Sequence, residues 1–328
     1  KGLVWNFRVF PFGYEALDAF FEYIVSKTSK GSKGQFFTPR YVVDFCMKVL
    51  SPKAYETILD PACGSGAFLN HYYNYVSEKN HLHTSPIDSN IWGFDFDERA
   101  LRVARVLMYL NGINKFNLYN ANSLILPKLQ QGLFDDEEKE TLTSIEDFIR
   151  INKKKSFTFD IIATKPPFAG EINEEGILRN YILSKDRNNI ERDALFIERC
   201  VNLLSPGGRM AIILPNNKFG SLQWEYLRSW LLKQVRVVGV VGLPRNVFMP
   251  HTPIKTAILF AEKREKTVNN PPNERIFFGI SEKAGKDSRG NLEWKYKENE
   301  LSQNSIDHDL EDIYYDFKDF IKQEGIGW

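Results

Sequence analysis

The stretch DPACGSGAF at residues 60–68 decides the fold, because two glycines join an apolar segment to an amphipathic one. Gly64 and Gly66 let the backbone turn sharply and approach a ligand closely. The helix that follows such a turn offers unpaired N–H donors at its first residues. Asp60 ends the apolar segment, and open α/β sheets bind ligands beyond the carboxyl ends of their strands. The sequence therefore predicts a strand, a ligand-binding loop and a helix, with the Asp60 carboxylate suited to a cationic amine.

Strand-like and helix-like segments alternate from about residue 36 onward. The strand candidates are ETILD (56–60), NIWGFDF (90–96), FNLYNA (116–121), FDIIAT (159–164), RMAIIL (209–214), RVVGVVGL (236–243) and KTAILFAE (255–262). The amphipathic segments are RYVVDFCMKVL (40–50), AFLNHYYNYVSE (67–78), ERALRVARVLMYLNG (98–112), DALFIERCVNLL (193–204) and WEYLRSWLLKQV (224–235). Their apolar residues recur at intervals of three and four, the helix period. This order predicts an α/β, Rossmann-like fold with a mainly parallel seven-stranded sheet.

The rest of the chain divides into a lead-in, a charged interruption and an extension. EALDAFFEYIVSK (15–27) is amphipathic and could be the last helix of a further N-terminal domain. Residues 127–157 carry an acidic-basic run that interrupts the alternation. The extension holds a strand candidate and an amphipathic terminal helix, RIFFGIS (275–281) and LEDIYYDFKDFIKQ (310–323). The predicted units are a helical lead-in, a main α/β domain and a C-terminal extension, at 1–33, 34–262 and 263–328.

Composition constrains the class of protein but does not identify a binding partner. The net charge of +1 on 328 residues neither supports nor excludes nucleic-acid binding, because a basic groove can lie within a neutral total. Cys46, Cys63 and Cys200 are widely spaced, which argues against a disulfide framework or a metal site and favours a reducing cytoplasm. No apolar run reaches membrane-spanning length, so we predict no membrane association. Because the sequence begins with Lys1 rather than Met, we expect a fragment of a longer chain.

A second acidic position supports a nucleotide-type ligand. WGFDFDERA (92–100) places Asp95 at the end of the second strand candidate, where a carboxylate can hold ribose hydroxyls. The loop at Asp60 has neither the G-x-G-x-x-G spacing of dinucleotide-binding folds nor the Gly-Lys-Ser/Thr of a P-loop. The plainer alternative is a generic turn in which glycines serve the backbone alone. Asp60 and Asp95 together favour cofactor binding over that alternative.

Four motifs together resemble the adenine-N6 DNA methyltransferases. They are GQFFTPR (34–40), DPACGSGAFL (60–69), GFDFDERA (93–100) and Pro-Pro-Phe (166–168). The resemblance is strongest to the modification (M) subunits of type I restriction–modification systems. It runs from about Gly34 through LPRNVFMPHTPIKTAILF (243–260) and continues weakly through the C-terminal segment. It implies the S-adenosylmethionine-dependent methyltransferase fold, S-adenosylmethionine as cofactor and a prokaryotic, cytoplasmic protein.

The resemblance also implies roles for the matching residues. One group would cover the methionine end of the cofactor: Phe36, Phe37, Thr38 and Pro39. A second would line the loop after the first strand: Asp60, Ala62, Gly64, Ser65 and Gly66. A third group would complete the cofactor site after the second and third strands, with Asp95 at the ribose and Asn122 at the adenine: Asp95, Phe96, Asn122 and Ser123. The family usually has an acid at the position of Asn122, whose amide can still bond the adenine. For FFTPR, a helix start with Pro39 in its first turn is compatible with the same residues.

The catalytic motif departs from the family at its first residue. The family has Asn/Asp-Pro-Pro-Phe/Tyr, in which the first side chain and the first proline carbonyl accept the N–H groups of adenine. The aromatic ring stacks on the base, which is flipped out of the duplex. Here the motif is Lys165, Pro166, Pro167 and Phe168. Lysine offers donors and no acceptor, and its charge opposes the positive charge that the attacking amine gains. We therefore predict that this chain binds S-adenosylmethionine but methylates adenine poorly or not at all.

Three explanations of Lys165 stay open: an inactive, cofactor-binding copy, a residue altered from the natural one, and an unconventional enzyme whose acceptor comes from elsewhere. Pro-Pro-Phe/Tyr motifs also serve methyltransferases that act on RNA adenine or on glutamine side chains. The FFTPR and LPRNVF segments favour the restriction–modification group over these two classes. An oxidoreductase is disfavoured, because the sequence lacks the G-x-G-x-x-G fingerprint of dinucleotide binding. The main alternative outside enzymes is an assembly subunit that binds cofactor and DNA. The resemblance implies double-stranded DNA, a DNA specificity subunit and a restriction subunit as partners.

Overall fold

The structure is a computed structural model that describes residues 38–80, 87–125, 157–295 and 305–328. Three predictions fall outside these ranges: the helical lead-in, the roles of Phe36 and Phe37, and the charged interruption up to residue 156. Among the described helices, none combines the length and apolarity needed to cross a membrane. The described part holds the loop at Asp60 and both strands beside it.

Eight of the described strands form one sheet. In chain order the strands are β1 (Ile58–Asp60), β2 (Ile91–Asp95), β3 (Asn117–Asn120), β4 (Phe159–Thr164), β5 (Glu171–Ile172), β6 (Ile190–Glu191), β7 (Leu204–Pro215), β8 (Val235–Leu243), β9 (Thr256–Lys263), β10 (Phe277–Ile280), β11 (Trp294–Lys295) and β12 (Ser305–Ile306). The helices are α1 (Arg40–Leu50), α2 (Ala67–Asn80), α3 (Glu98–Leu110), α4 (Glu175–Leu178), α5 (Arg192–Leu203), α6 (Asn217–Gly220), α7 (Glu225–Gln234) and α8 (Leu310–Gln323). The main sheet has the order β10-β8-β9-β7-β4-β1-β2-β3.

All seven predicted strands and all five predicted helices of the main domain are confirmed. Within the sheet, β9 runs antiparallel to both β7 and β8, and the other neighbours are parallel. The predicted count of seven strands is one too few, because the candidate at 275–281 forms β10 and pairs with β8. Its short, mixed sequence carried too weak a pattern to place it in the main sheet.

Helices cover both faces of this sheet. Successive residues of one strand point to opposite faces. Accordingly, Ile58 lies in one buried cluster and Leu59 in the other. Side chains from α1, α2, α3 and α8 complete the first cluster, and side chains from α5 and α7 complete the second. Strands buried on both faces explain the continuous apolar runs of the sequence.

Part of the C-terminal extension packs on the main sheet. The Phe317 ring of α8 stacks on Phe277 of β10, with ring centroids 4.5 Å apart. A Cβ atom on Gly239 would lie 2.4 Å from Phe317 Cζ, so the glycine in β8 makes room for this ring. The domain boundaries at 33/34 and 262/263 stay predictions.

The order in which strands are added to the sheet changes side between β1 and β4. From β1 the strand order leads outward through β2 and β3, whereas β4 leads to β7 on the other side. Such a switch point opens a crevice at the carboxyl ends of the two strands. Asp60 ends β1 and Thr164 ends β4, so both lie at this crevice.

Candidate cofactor-binding and catalytic site

The Asp60 carboxylate ties the ends of β1 and β4 together. Its Oδ1 accepts hydrogen bonds from the Thr164 hydroxyl at 2.6 Å and from the Ala62 backbone N–H at 3.0 Å. The residue is only 1% exposed, and these bonds supply partners that a buried carboxylate requires. The position of the carboxylate at the crevice is therefore fixed by its own loop and by the neighbouring strand.

Asp95 holds the glycine loop from the adjacent strand. Its Oδ2 accepts the Gly64 N–H at 2.7 Å, and its Oδ1 accepts the Asp97 N–H at 2.8 Å. The Cys63 N–H donates to the Phe94 carbonyl at 2.9 Å, which adds a backbone link between the loop and β2. Asp60 and Asp95 thus lie at the carboxyl ends of two neighbouring strands, and both accept hydrogen bonds from the loop at residues 60–66.

Both glycines of the loop adopt the left-handed conformation. Gly64 has φ +52° and no atom within 4 Å of the place a Cβ would take, so it is open to a ligand. Gly66 has φ +81°, and a Cβ there would lie 3.3 Å from the Ala104 Cβ of α3. Gly64 therefore leaves space beside the loop, whereas Gly66 allows α2 and α3 to pack closely.

The segment after β3 reaches the same loop. Ser123 is buried, and its hydroxyl donates to the Pro61 carbonyl at 2.5 Å. The Asn122 Oδ1 accepts the Leu124 N–H at 3.1 Å, which turns the chain at this point. Phe96, after β2, is 81% exposed. The structure thus brings Ser123 to the loop at Asp60 and leaves the ring of Phe96 open to solvent.

The remaining predicted cofactor residues occupy less exposed positions. Thr38 is buried, and Pro39 is the residue before the first turn of α1. In the loop, Ser65 is buried and Ala62 is half-buried. Cofactor contacts of these residues stay predictions.

The Lys-Pro-Pro-Phe motif directly follows β4. Pro166 is buried, and Lys165, Pro167 and Phe168 are half-buried. The Lys165 Nζ lies 5.0 Å from the centroid of the Phe168 ring, a cation–π distance. Phe168 also meets Phe248 edge-on, with centroids 6.0 Å apart. The motif therefore presents an ammonium group, where the related motif of the adenine methyltransferases presents an amide or a carboxyl group.

Three ionisable groups share the end of the sheet. Burial raises the pKa of Asp60 to about 7, and the hydrogen bonds from Thr164 and Ala62 oppose this rise. Burial likewise raises the pKa of Asp95, against its bonds from backbone N–H groups. Burial lowers the pKa of Lys165 to about 8, while the charges of Asp60 and Asp95 oppose that change. The ammonium thus lies within electrostatic reach of both carboxylates.

Sequence reasoning missed three residues that shape this site. Thr164 orders Asp60, and Asn120 donates from Nδ2 to the carbonyls of Asp95 and Phe96 at 3.1 and 2.9 Å. Gly93 lies where a Cβ would approach the Leu118 Cδ2 to 2.6 Å. A glycine inside a strand pattern is a usable signal of close packing. Thr164 and Asn120 carry no comparable signal, because their partners are distant in sequence.

Comparison with known proteins assigns the family. The N-6 DNA Methylase family matches residues 13–324. The chain is 30% identical over 245 residues to the type I restriction enzyme EcoEI methylase subunit of Escherichia coli, covering 73% of this chain and 44% of that protein. It is 26% identical over 251 residues to the EcoKI methylase subunit of E. coli K12, covering 75% and 43%. The chain thus spans less than half the length of these two relatives.

A solved structure agrees with the fold. The type I restriction-modification system methyltransferase subunit from Streptococcus thermophilus superposes with a TM-score of 0.62 at 20% identity, covering 92% of this chain and 56% of that one. At this identity the likeness concerns the fold, and it confirms the predicted methyltransferase fold. The family match over residues 13–324 establishes that the chain belongs to the N-6 DNA Methylase family.

Proposed function

We propose that this chain is the S-adenosylmethionine-binding part of a DNA adenine-N6 methyltransferase, a modification subunit of a type I-like restriction–modification system. We further propose that Lys165 impairs its methyl transfer. One observation carries the proposal: the Asp60 loop, Asp95 and the Lys-Pro-Pro-Phe motif meet at the switch point between β1 and β4.

The residues at this switch point fit the cofactor. Buried carboxylates at the ends of β1 and β2 suit its ammonium group and its ribose hydroxyls. Open space at Gly64 lets a ligand approach the backbone. Asp95 already accepts two backbone N–H groups, but each carboxylate oxygen has a second lone pair for a hydroxyl donor. When bound, S-adenosylmethionine supplies the electrophilic methyl group of its sulfonium.

The chemistry of adenine explains why residue 165 limits the reaction. The lone pair of the exocyclic amine is delocalised into the ring, so acceptors on its N–H groups are needed to favour attack. The Pro166 carbonyl can supply one acceptor. Lys165 cannot supply the other, because an ammonium group only donates. The same charge raises the energy of an amine that becomes positive as it attacks. Both effects lower the rate without removing the cofactor site.

The partners follow from the relatives. The EcoEI and EcoKI proteins are methylase subunits of type I restriction enzymes. By analogy we propose double-stranded DNA as the substrate of this chain, and a DNA specificity subunit and a restriction subunit as its partners.

An assembly subunit without methyl transfer is the second candidate. The position of the Lys165 ammonium over Phe168 favours it, because that ring is the one expected to stack on the flipped base. In this case the chain would bind cofactor and DNA and hold the complex together.

A methyl-transfer assay on unmethylated genomic DNA, with the chain in its native complex, tests the proposal. We expect Lys165→Asn to raise the initial rate by about 10²-fold, comparable to the restoration of one transition-state hydrogen bond. Lys165→Met is the matched control, since it removes the charge and adds no acceptor, and it should recover only a small part of that rate. If Lys165→Asn binds S-adenosylmethionine and still shows no gain, the acceptor explanation is wrong and the assembly role is favoured.

A further inference from the structure

We infer that the Lys165 ammonium makes this pocket select against the sulfonium, so that the chain holds the neutral thioether S-adenosylhomocysteine more tightly than S-adenosylmethionine. This inference rests on the proposed cofactor site. It extends the role of Lys165 from the methyl-transfer step to the choice of ligand.

The Lys165 charge lies at the end of β4, beside the acids of the proposed cofactor site. Lys165 follows Thr164 directly, and the Thr164 hydroxyl bonds to Asp60 at 2.6 Å. The Lys165 side chain is half-buried over the Phe168 ring and interacts electrostatically with Asp60 and Asp95. These carboxylates are the two acids that we assign to the cofactor. The ammonium is therefore electrostatically coupled to the groups that we assign to the ligand, and its burial leaves it less screened by water than a surface lysine.

The position of residue 165 relates it to the sulfonium of the cofactor. In the related enzymes, residue 165 corresponds to the side chain that holds the attacking amine. An in-line attack requires that amine to approach the methyl group within about 3–3.5 Å, and the methyl group is carried by the sulfur. When the cofactor is bound, a cation at residue 165 would therefore act mainly on the sulfonium charge.

The two ligands share most of their charged groups, so the contributions of those groups cancel in the ratio of affinities. S-adenosylmethionine and S-adenosylhomocysteine have the same adenosine, ammonium and carboxylate groups. They differ by one methyl group and one positive charge at sulfur. The attraction of Asp60 and Asp95 to the shared groups therefore drops out of the affinity ratio. Two effects on the sulfonium charge remain: its repulsion by Lys165, and its attraction to Asp60 and Asp95, which the raised pKa values of these acids weaken at pH 7. The acids are the same in every variant, so the change in the affinity ratio when the Lys165 charge is removed reports the repulsion, which in a partly buried site should be about tenfold or more.

Isothermal titration of the whole chain with each ligand at pH 7 tests the inference. We expect S-adenosylhomocysteine to bind more tightly than S-adenosylmethionine, and Lys165→Met to reduce the ratio of dissociation constants, S-adenosylmethionine over S-adenosylhomocysteine, about tenfold. Lys165→Asn is a second uncharged variant and should shift the ratio in the same direction. Lys185→Met, at an exposed lysine, is the matched control and should leave the ratio unchanged.

The outcomes separate the inference from the function on which it rests. If both ligands bind and the ratio is the same in the chain and in either folded uncharged variant, the selectivity inference is overturned and cofactor binding stands. If S-adenosylmethionine binds more tightly to the unaltered chain, the inference is overturned as well. If neither ligand binds to the folded chain or to its folded variants, the proposed function fails together with the inference.

Discussion

The side-chain nitrogen of Lys165 lies 5.0 Å from the centroid of the Phe168 ring. An ammonium over an aromatic face is attracted to the negative charge density of the ring. The same ring is the one that should stack on a flipped adenine. One residue thus affects both halves of the proposed reaction, since its charge faces the cofactor acids and its position covers the ring that would hold the base.

Selection against the sulfonium should weaken as the pH rises. The pKa of Lys165 is lowered to about 8, so its charge is lost between pH 7 and pH 9. Asp60 ionises around pH 7 and also favours the sulfonium as pH rises. His251, which interacts electrostatically with Lys165, has a pKa below its ordinary 6.5. It stays neutral between pH 7 and pH 9 and does not add to this change. We expect the ratio of dissociation constants, S-adenosylmethionine over S-adenosylhomocysteine, to fall from pH 7 to pH 9.

Titrations of the chain and of Lys165→Met at pH 7, 8 and 9 would measure this fall. Loss of the Lys165 charge raises the pKa of Asp60 and Asp95, so these acids contribute at least as much to the fall in the variant as in the unaltered chain. A steeper fall in the unaltered chain therefore belongs to Lys165. Parallel pH profiles for the two proteins would contradict the prediction.

Thr164→Val should destabilise the chain in a pH-dependent way. The Thr164 hydroxyl stabilises the charged form of Asp60, so its loss raises the pKa of Asp60 above about 7. Because the ordinary pKa of Asp60 is 3.8, the folded state takes up a proton between pH 4 and 7, and stability falls as pH rises through that interval. The variant extends this fall to higher pH. We expect a loss of about 1–3 kcal/mol at pH 8 and a smaller loss at pH 5.

Urea unfolding at the two pH values measures both losses. Thr267→Val is the control, because the exposed Thr267 hydroxyl bonds only to Gln234 among the described contacts and faces no buried acid. Equal destabilisation of Thr164→Val at pH 5 and pH 8 would show that Asp60 does not mediate the effect.

Much of this site could be predicted from sequence because its signals are local. The glycine spacing after Asp60 and the acid after β2 fix two neighbouring strand ends, and parallel topology then brings them together. The bond from Thr164 to Asp60 spans 104 residues and depends on which strand lies beside β1. No periodicity carries that information. The burial of Lys165, which shifts its pKa, is likewise a property of the folded chain and was not predictable from the residue alone.

Gly93→Ala should destabilise the sheet beneath the loop. An added Cβ would lie 2.6 Å from the Leu118 Cδ2, 2.8 Å from the Leu69 Cδ1 and 3.0 Å from the Cys63 Sγ. Overpacking of this kind costs about 1–3 kcal/mol. Since Cys63 belongs to the glycine loop, we also expect weaker binding of S-adenosylhomocysteine.

Thermal unfolding and ligand titration check the two effects of Gly93→Ala. Gly176→Ala in α4 is the control, because a Cβ there meets no atom within 4 Å. It should be neutral or slightly stabilising. A Gly93→Ala protein that unfolds and binds ligand like the parent would contradict the packing argument.

Arg209→Met should cost more stability than any surface charge removal. The Arg209 guanidinium donates to both Glu56 oxygens at 2.8 Å and to the Leu50 carbonyl at 3.0 Å. It thereby joins the end of α1, the segment before β1 and the strand β7. The pair is buried, so the variant would leave the Glu56 carboxylate without its cation. We expect a loss of about 3–5 kcal/mol in the free energy of unfolding.

Two further variants test whether the stability lost by Arg209→Met comes from the unpaired Glu56 carboxylate. Arg275→Met removes an ion pair to Glu324 of similar length, 2.9 Å, but the Arg275 side chain is 71% exposed. Its loss should stay below about 1 kcal/mol. The double variant Arg209→Met with Glu56→Gln removes the carboxylate charge and should recover part of the stability lost by Arg209→Met, as measured by urea unfolding. If the double variant is no more stable than Arg209→Met, the cost arises from lost packing around the long arginine side chain and not from an unpaired carboxylate.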